Sequence, residues 1–137
     1  MQSNLIIYTM SAFSLKKSER LCGDKAITRL FTEGRSGFVF PFRYFWRVVQ
    51  ADGESGEMVA VMFSVPKKQF KRAVKRNLLK RRSREAYRLN KGALIDKASL
   101  LNKRVELAFV FATKEMADFK TIQHGIRRIL AEIGKSI

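Results

Sequence analysis

The sequence has a single cysteine, Cys22, so neither an internal disulfide nor a cysteine-rich zinc site is available to it. Crosslinks are not needed, because a chain of 137 residues with 46% hydrophobic residues can bury a core of its own. We therefore expect one domain in a reducing compartment, with Cys22 as a small core residue.

Long apolar runs are also missing. The opening MQSNLIIYTM lacks the basic start and long apolar centre of a signal peptide, and no run approaches the roughly 18 residues of a membrane-spanning helix. We expect a cytoplasmic protein without a membrane partner, in which residues 1–12 form a flexible segment and residues 13–137 form a single domain.

Motifs for catalysis by protein side chains are absent as well. The sequence contains no HExxH or GxSxG motif, and no GK[ST] follows the glycines of the loop at 51–57, so that loop is not a phosphate-binding P-loop. The one histidine, His124, has no Cys or Glu at ligand spacing, so we interpret His124 as structural. The acids are few and scattered and form no pair suited to Mg²⁺. We predict no catalytic side chain, no metal ligand, no cofactor bound by the protein alone and no small-molecule substrate.

Acidic residues are scarce relative to basic ones. Lys and Arg number 28 against 12 Asp and Glu, which gives a formal net charge of +16 and a pI near 10.6. Such an excess goes beyond what solubility requires and favours a polyanionic partner, either nucleic acid or an anionic membrane surface.

The positive charge is most concentrated between Lys67 and Lys91, where twelve residues are Lys or Arg and Glu85 is the one acid. The spacing predicts a helix over about residues 70–89. At about 100° per residue, one side of this helix is polar and of a single charge sign. That side holds Arg76, Asn77, Lys80, Arg81, Arg84 and Arg88, and the other side holds Leu78, Leu79, Ala86 and Leu89.

A run of charge is often only a solvated helix face. Here most of the charges are Arg, whose planar fork suits phosphate oxygens, and Asn77 adds a donor and an acceptor among them. A membrane surface fits less well, because the apolar side is short of the bulky residues that interfacial helices use. We therefore predict that this helix binds nucleic acid.

The remaining patterns predict an α+β fold, a two-layer sandwich with the order α-β-β(-β)-α-β-α and a mostly antiparallel sheet. Asp24 is the expected N-cap of the first helix and Gly34 its stop. Pro41 is expected at an edge or bulge of the first strand. The predicted elements are helices over 24–33, 70–89, 93–101 and 118–133, strands over 38–49, 58–65 and 104–112, and a loop over 51–57.

The aromatic residues allow two interpretations. Phe31, Phe42, Tyr44 and Trp46 either pack in the core, which we favour for Trp46, or form a stacking platform for single-stranded bases beside Arg43 and Arg47.

At residues 73–84, AVKRNLLKRRSR, the chain resembles the protein subunit of bacterial ribonuclease P, whose signature is Ala-Val, then Arg-Asn, then Lys-Arg and a further Arg. The resemblance extends over nearly the whole chain beyond Phe13, through SLKKSERL, the LFxxG that ends at Gly34, FSVPKK and REAY. In place of the second Arg of the family motif stands Leu78, so one contact of the motif is missing or is supplied by Arg82.

The resemblance implies that the protein binds a large catalytic RNA and the 5′ leader of precursor tRNA. In that family the RNA performs the hydrolysis that removes the leader, so Mg²⁺ is expected in the holoenzyme. Phe31, Phe42 and Tyr44 would line a leader cleft between the first helix and the sheet, and the crossover around the basic helix would be left-handed. The residues implied to bind RNA are Lys67, Lys68, Arg72, Arg76, Asn77, Lys80, Arg81, Arg84 and Arg88.

Two other functions remain possible on the sequence. One is a non-catalytic RNA-binding protein, such as a ribosomal or chaperone-like component. The other is a sequence-specific DNA-binding protein, which would need a helix-turn-helix setting rather than a basic helix flanked by strands.

Overall fold

A computed structural model describes residues 19–21, 23–50 and 58–137. Cys22, residues 1–12 and the loop at 51–57 lie outside these ranges, so what we expect of them stays a prediction. The elements, in chain order, are α1 (Asp24–Glu33), β1 (Arg35–Val39), β2 (Phe42–Gln50), β3 (Val59–Ser64), α2 (Ala73–Asn90), α3 (Gly92–Leu101), β4 (Lys103–Phe111) and α4 (Phe119–Ser136).

The strands form one four-stranded sheet in the order β1-β2-β4-β3. β1 pairs with β2 and β2 with β4 in antiparallel fashion, whereas β3 pairs with β4 in parallel. Because parallel neighbours need a crossover, the chain between β3 and β4 leaves the sheet and forms α2 and α3. The predicted α+β class with a mostly antiparallel sheet is confirmed, and the left hand of the crossover stays a prediction.

One face of the sheet carries the main core. The side chains of Phe42, Trp46, Leu107 and Phe109 alternate with polar or smaller residues along β2 and β4, and they pack under α2, α3 and α4. Trp46 is 7% exposed, so the interpretation of this residue as core packing is confirmed.

Within the described ranges, the opposite face of the sheet is covered in part, by α1. Leu30 is fully buried there together with Ala60 and Ala108, and Phe45 and Met62 pack against this smaller cluster. The sheet therefore has one face under three helices and a second face with α1 at one side.

Several sequence predictions need correction. The single strand predicted over 38–49 is two strands, β1 and β2, joined by a turn at Phe40 and Pro41, so Pro41 is neither at an edge nor in a bulge. The N-cap of α1 is Gly23, with a φ of 99°, rather than Asp24. Gly34 does end α1, as its C-cap. Glycine is required at this position because a Cβ would lie 2.4 Å from the Leu30 carbonyl oxygen.

β3 is an edge strand that residues 19–21 partly cover. The Leu21 amide donates to the Val61 carbonyl at 2.8 Å, and Arg20 forms a parallel bridge with Val61. Next to this bridge, both carboxylate oxygens of the buried Glu19 accept from the buried Lys91 ammonium group at 2.8 and 2.9 Å. This ion pair ties the start of the described chain to the junction of α2 and α3.

Candidate nucleic-acid interface

The basic helix α2 is held on the sheet by a narrow strip of side chains. Leu79, Ser83, Ala86 and Tyr87 are its buried residues. Leu79 and Ala86 were expected on this side, but Leu89 is 43% exposed and Leu78 is half-buried, so the apolar side is narrower than the sequence indicated. A wide polar surface is left to solvent.

The predicted RNA-binding residues of α2 lie together along one flank of this strip, as their 100° spacing requires. Arg72, at the N-cap, and Asn77, Arg81 and Arg84 are exposed, while Arg76, Lys80 and Arg88 are half-buried. Lys67 and Lys68 are exposed in the turn that precedes the helix, where the amides of Gln69 and Phe70 donate to the Pro66 carbonyl. We call these nine residues together the cationic surface: Lys67, Lys68, Arg72, Arg76, Asn77, Lys80, Arg81, Arg84 and Arg88.

Not every cation of this surface is equally available. The Arg76 guanidinium donates to the carbonyls of Phe70 and Lys71, both at 2.8 Å, and so closes the turn that leads into α2. Because these bonds engage the guanidinium within the protein, Arg76 acts first as a positioning residue for the start of the helix.

Arg88 is also engaged within the protein. Its guanidinium binds the Glu85 carboxylate through two hydrogen bonds, and the first of these, with Nε, measures 3.0 Å. The hydrogen bond from Arg88 lowers the pKa of Glu85, so this acid stays ionised and offsets the charge of Arg88. Among the residues of the cationic surface that lie within α2, positive charge is therefore concentrated on Lys80, Arg81 and Arg84.

Arg82 lies one helical turn after Leu78, the position where the family motif has an arginine. Its guanidinium donates to the Ala117 carbonyl at 2.7 Å, which joins α2 to the segment before α4. Leu78 itself is half-buried. That Arg82 supplies the contact missing at Leu78 stays a prediction.

The predicted cleft residues are not brought together. Phe31 is 37% exposed on α1 and contacts Phe45 edge to face, with ring centroids 4.6 Å apart. Phe42 is 1% exposed and lies in the main core, on the opposite face of the sheet. Tyr44 packs against the same core and lies over Gly37. The prediction that Phe31, Phe42 and Tyr44 line one cleft is therefore wrong.

The alternation of side chains along β2 identifies the residues that lie beside α1 in place of Phe42 and Tyr44. Arg43, Phe45 and Arg47 point to the face that α1 partly covers, and Arg43 is exposed there. Arg47 lies within 3.4 Å of the Glu33 carboxylate on α1 and 3.7 Å of Glu106 on β4, and it thereby links the helix to the sheet. Of the two rows of alternate residues along β2, the row from Phe42 to Val48 is the more apolar, and this difference indicates that it faces the core.

Phe31, Phe45 and Arg43 thus form a partly open aromatic and cationic surface beside α1, which we call the α1 face. Among the described residues, no group of three or more His, Cys, Asp or Glu side chains comes together as a metal site. No helix in the described ranges is both long and apolar enough to cross a membrane.

Comparison with known proteins gives consistent results. The model of the family described as Ribonuclease P matches residues 15–134. A Ribonuclease P protein component from Porphyromonas gingivalis is 36% identical over 127 residues, which are 93% of this chain and 91% of the relative. A second from Chlorobium phaeobacteroides is 30% identical over 128 residues, with 88% of both chains covered.

Solved structures agree in fold. The RNase P protein from Thermotoga maritima superposes with a TM-score of 0.64 at 26% identity, covering 83% of this chain and 96% of that one. The Staphylococcus aureus RNase P protein gives a TM-score of 0.62 at 21% identity, covering 85% and 96%, and shows likeness of fold alone.

Proposed function

This chain belongs to the ribonuclease P protein family, and from that premise we propose that it is the protein subunit of a ribonucleoprotein that removes the 5′ leader from precursor tRNA. Its partners are the catalytic RNA of the complex and the precursor tRNA, and its location is the cytoplasm. The observation that carries the proposal is the cationic surface, where exposed Arg81 and Arg84 stand beside Lys80 on a helix otherwise anchored in the core.

The cationic surface suits the phosphates of a structured RNA. Most of its charges lie on α2, so the backbone that carries them is already ordered before a polyanion binds. Each phosphate contact that releases counterions contributes to affinity and to its salt dependence. Asn77, exposed among these cations, adds a neutral donor and acceptor for sugar or base edges.

The α1 face suits the single-stranded leader. Phe31 and Phe45 offer an aromatic surface beside exposed Arg43, and a base stacked on such a ring contributes about 1–3 kcal/mol. Arg47 holds α1 at a set position over the sheet through Glu33 and Glu106. Stacking of this kind tolerates any base, which fits leaders of varied sequence.

The protein contributes no catalytic group in this proposal. The described residues offer no cluster of metal ligands, so no step is assigned to a metal held by the protein. The Mg²⁺ expected in the holoenzyme is assigned to the RNA. The protein holds substrate near the catalytic RNA and screens repulsion between two polyanions, which raises the effective affinity for substrate.

The test is cleavage of a precursor tRNA by a bacterial ribonuclease P RNA at low Mg²⁺, with and without the protein. We expect the protein to switch on cleavage that the RNA alone performs poorly. Replacing Arg81 and Arg84 with Ala should reduce this effect. The control, Lys97→Ala with Arg127→Ala, removes the same charge from α3 and α4 and should retain it.

The leader assignment has a separate readout. Phe31→Leu and Arg43→Ala should weaken binding of a precursor with a leader of several nucleotides and leave binding of mature tRNA unchanged. If the protein binds the RNA, but neither adding the protein nor replacing these residues alters cleavage, the chain belongs instead with non-catalytic RNA-binding proteins.

A further inference from the structure

A pocket with basic side chains lies between α4 and the turn that joins β1 to β2, apart from the cationic surface and the α1 face. It has a volume of about 350 Å³, within the range of small-molecule sites. We call it the Phe40 pocket, and its lining residues are Val39, Phe40, Lys120, Thr121, His124 and Arg128.

The walls of this pocket are held in place by close packing. Gly125 of α4 is buried against the turn, and a Cβ there would lie 2.7 Å from the Phe40 carbonyl oxygen and 3.1 Å from Pro41. The Pro41 carbonyl accepts from the Ala112 amide at 2.9 Å. The start of α4 is capped by Asp118, whose carboxylate accepts from the Thr121 amide at 2.8 Å.

The charges of the pocket follow from helical spacing. Lys120, His124 and Arg128 recur every four residues, so they form one row along α4, and all three are exposed. No carboxylate of the described residues lines the pocket. Lys120 and Arg128 lie two turns apart in this row, so an anion placed between them would be attracted by both charges.

An exposed aromatic ring completes the chemistry. Phe40 is 47% exposed beside Lys120 and Arg128, although large apolar side chains are usually buried. A ring next to Lys and Arg fits a ligand with both a flat base and a phosphate, because bases stack on aromatic side chains while cations follow the backbone. A simple anion site has no use for the ring, and a membrane surface would need a larger apolar area.

We propose that the Phe40 pocket binds a nucleotide of single-stranded RNA, with its base against Phe40 and its phosphate between Lys120 and Arg128. The pocket is a site distinct from the cationic surface, because α4 separates the two. Gln123 of α4 accepts from Asn90 of α2 at 3.1 Å, whereas Gly125 faces the β1–β2 turn on the other flank. The proposal concerns a further RNA contact and does not depend on leader removal.

The test is a titration of the full chain, ¹⁵N-labelled, with a single-stranded octauridylate, followed by the amide resonances of Phe40, Thr121, His124 and Gly125. We expect saturable shifts at these amides. In the variant Lys120→Ala with Arg128→Ala, the local affinity should fall and its salt slope should decrease by about 0.7, the value for one lost phosphate contact on a single strand.

Two comparisons keep the result specific. The variant Lys97→Ala with Arg127→Ala loses one Lys of α3 and one Arg of α4 that line a different pocket, and it should bind at the Phe40 pocket as the wild type does. Phe40→Leu should weaken octauridylate about fivefold or more, the lower end of one base stack, and should leave an abasic oligomer of equal charge unaffected.

The proposal is overturned if the four amides do not move while those of α2 do. It is also overturned if Phe40→Leu affects the abasic oligomer as much as octauridylate, or if the two double variants behave alike. The titration measures local binding by the protein alone, so a negative result there does not contradict the proposed role in cleavage. A negative cleavage experiment likewise does not contradict binding at the Phe40 pocket.

Discussion

Arg76 shows that a cation in an RNA-binding motif can serve the fold of the protein first. Its guanidinium donates to the Phe70 and Lys71 carbonyls just ahead of α2. Removing it leaves two carbonyls without this charged donor, so Arg76→Ala should lower the free energy of unfolding by about 1–2 kcal/mol. Arg81→Ala, at an exposed position, should leave stability nearly unchanged.

The same two variants should separate in RNA binding. Arg81→Ala should reduce the slope of log affinity against log salt by about 0.9 per lost duplex contact, whereas Arg76→Ala should change the slope little. Urea unfolding and RNA binding at several salt concentrations measure both effects. If Arg76→Ala instead reduced the salt slope by about 0.9 and left stability unchanged, Arg76 would be a direct phosphate ligand.

Asp118 gives a prediction for acid stability. Its hydrogen bond from the Thr121 amide, together with the hydroxyl of Thr121 and the nearby charges of Lys120 and Arg82, lowers its pKa. A carboxyl whose pKa is lower in the folded state stabilises the protein above its unfolded pKa, about 3.9, and loses this effect as the pH falls through the folded pKa.

Asp118→Asn keeps a capping oxygen but removes this titration. The wild type should therefore be the more stable of the two near pH 7, and the difference should shrink as the pH falls below about 4. Thermal unfolding of both proteins between pH 2 and 7 measures it. A difference that stays constant over this range would show that the charge of Asp118 contributes nothing.

At the scale of elements, Gly125 sets the distance between α4 and the β1–β2 turn. Gly to Ala inside a helix normally stabilises a protein by up to about 1 kcal/mol. At Gly125 the new Cβ would lie 2.7 Å from the Phe40 carbonyl oxygen, which is backbone and has little room to move. Gly125→Ala should therefore destabilise the protein, by about 1–3 kcal/mol for overpacking.

Gly134 of the same helix is the matched control. A Cβ there meets nothing within 4 Å, so Gly134→Ala should be neutral or stabilising. Urea unfolding of the two variants gives the comparison. Equal effects at Gly125 and Gly134 would mean that the close approach of α4 to the turn does not hold the two elements at this separation.

The elements also show what a sequence can reveal and where it stops. The ends of β4 and α4 fell within three residues of prediction, because strand alternation and helical spacing are strong there. The hairpin at Pro41 was missed since FVFPFRYF has no Gly or Asn to indicate a turn. Phe42 was misplaced because alternation identifies two faces of a strand but not which face the partner occupies.

The cationic surface was predicted in position but not in detail. The spacing of Arg76, Arg81 and Arg84 places them on one side of α2, yet nothing in the spacing indicates that Arg76 binds carbonyls six and five residues earlier. Contacts of this kind depend on how the turn before the helix folds back. They are decided by tertiary structure rather than by helix periodicity.

At the scale of the whole molecule, the net charge of +16 acts against the compact state when no RNA is bound. Added salt screens this repulsion, since the Debye length falls from about 30 Å at 0.01 M to about 10 Å at 0.1 M. The melting temperature of the free protein should therefore rise with KCl over this range.

Anions that bind the folded protein should add a second effect. A multivalent anion held by the cationic surface stabilises the folded state by mass action, so sulfate or inorganic polyphosphate should raise the melting temperature more than chloride at equal ionic strength. Replacing Arg81 and Arg84 with Ala lowers the repulsion and removes part of the anion site. The double variant should then melt higher than the wild type at low salt and respond less to polyphosphate. If its response to polyphosphate equals that of the wild type, the anions bind elsewhere on the molecule, and the cationic surface is not its main polyanion site.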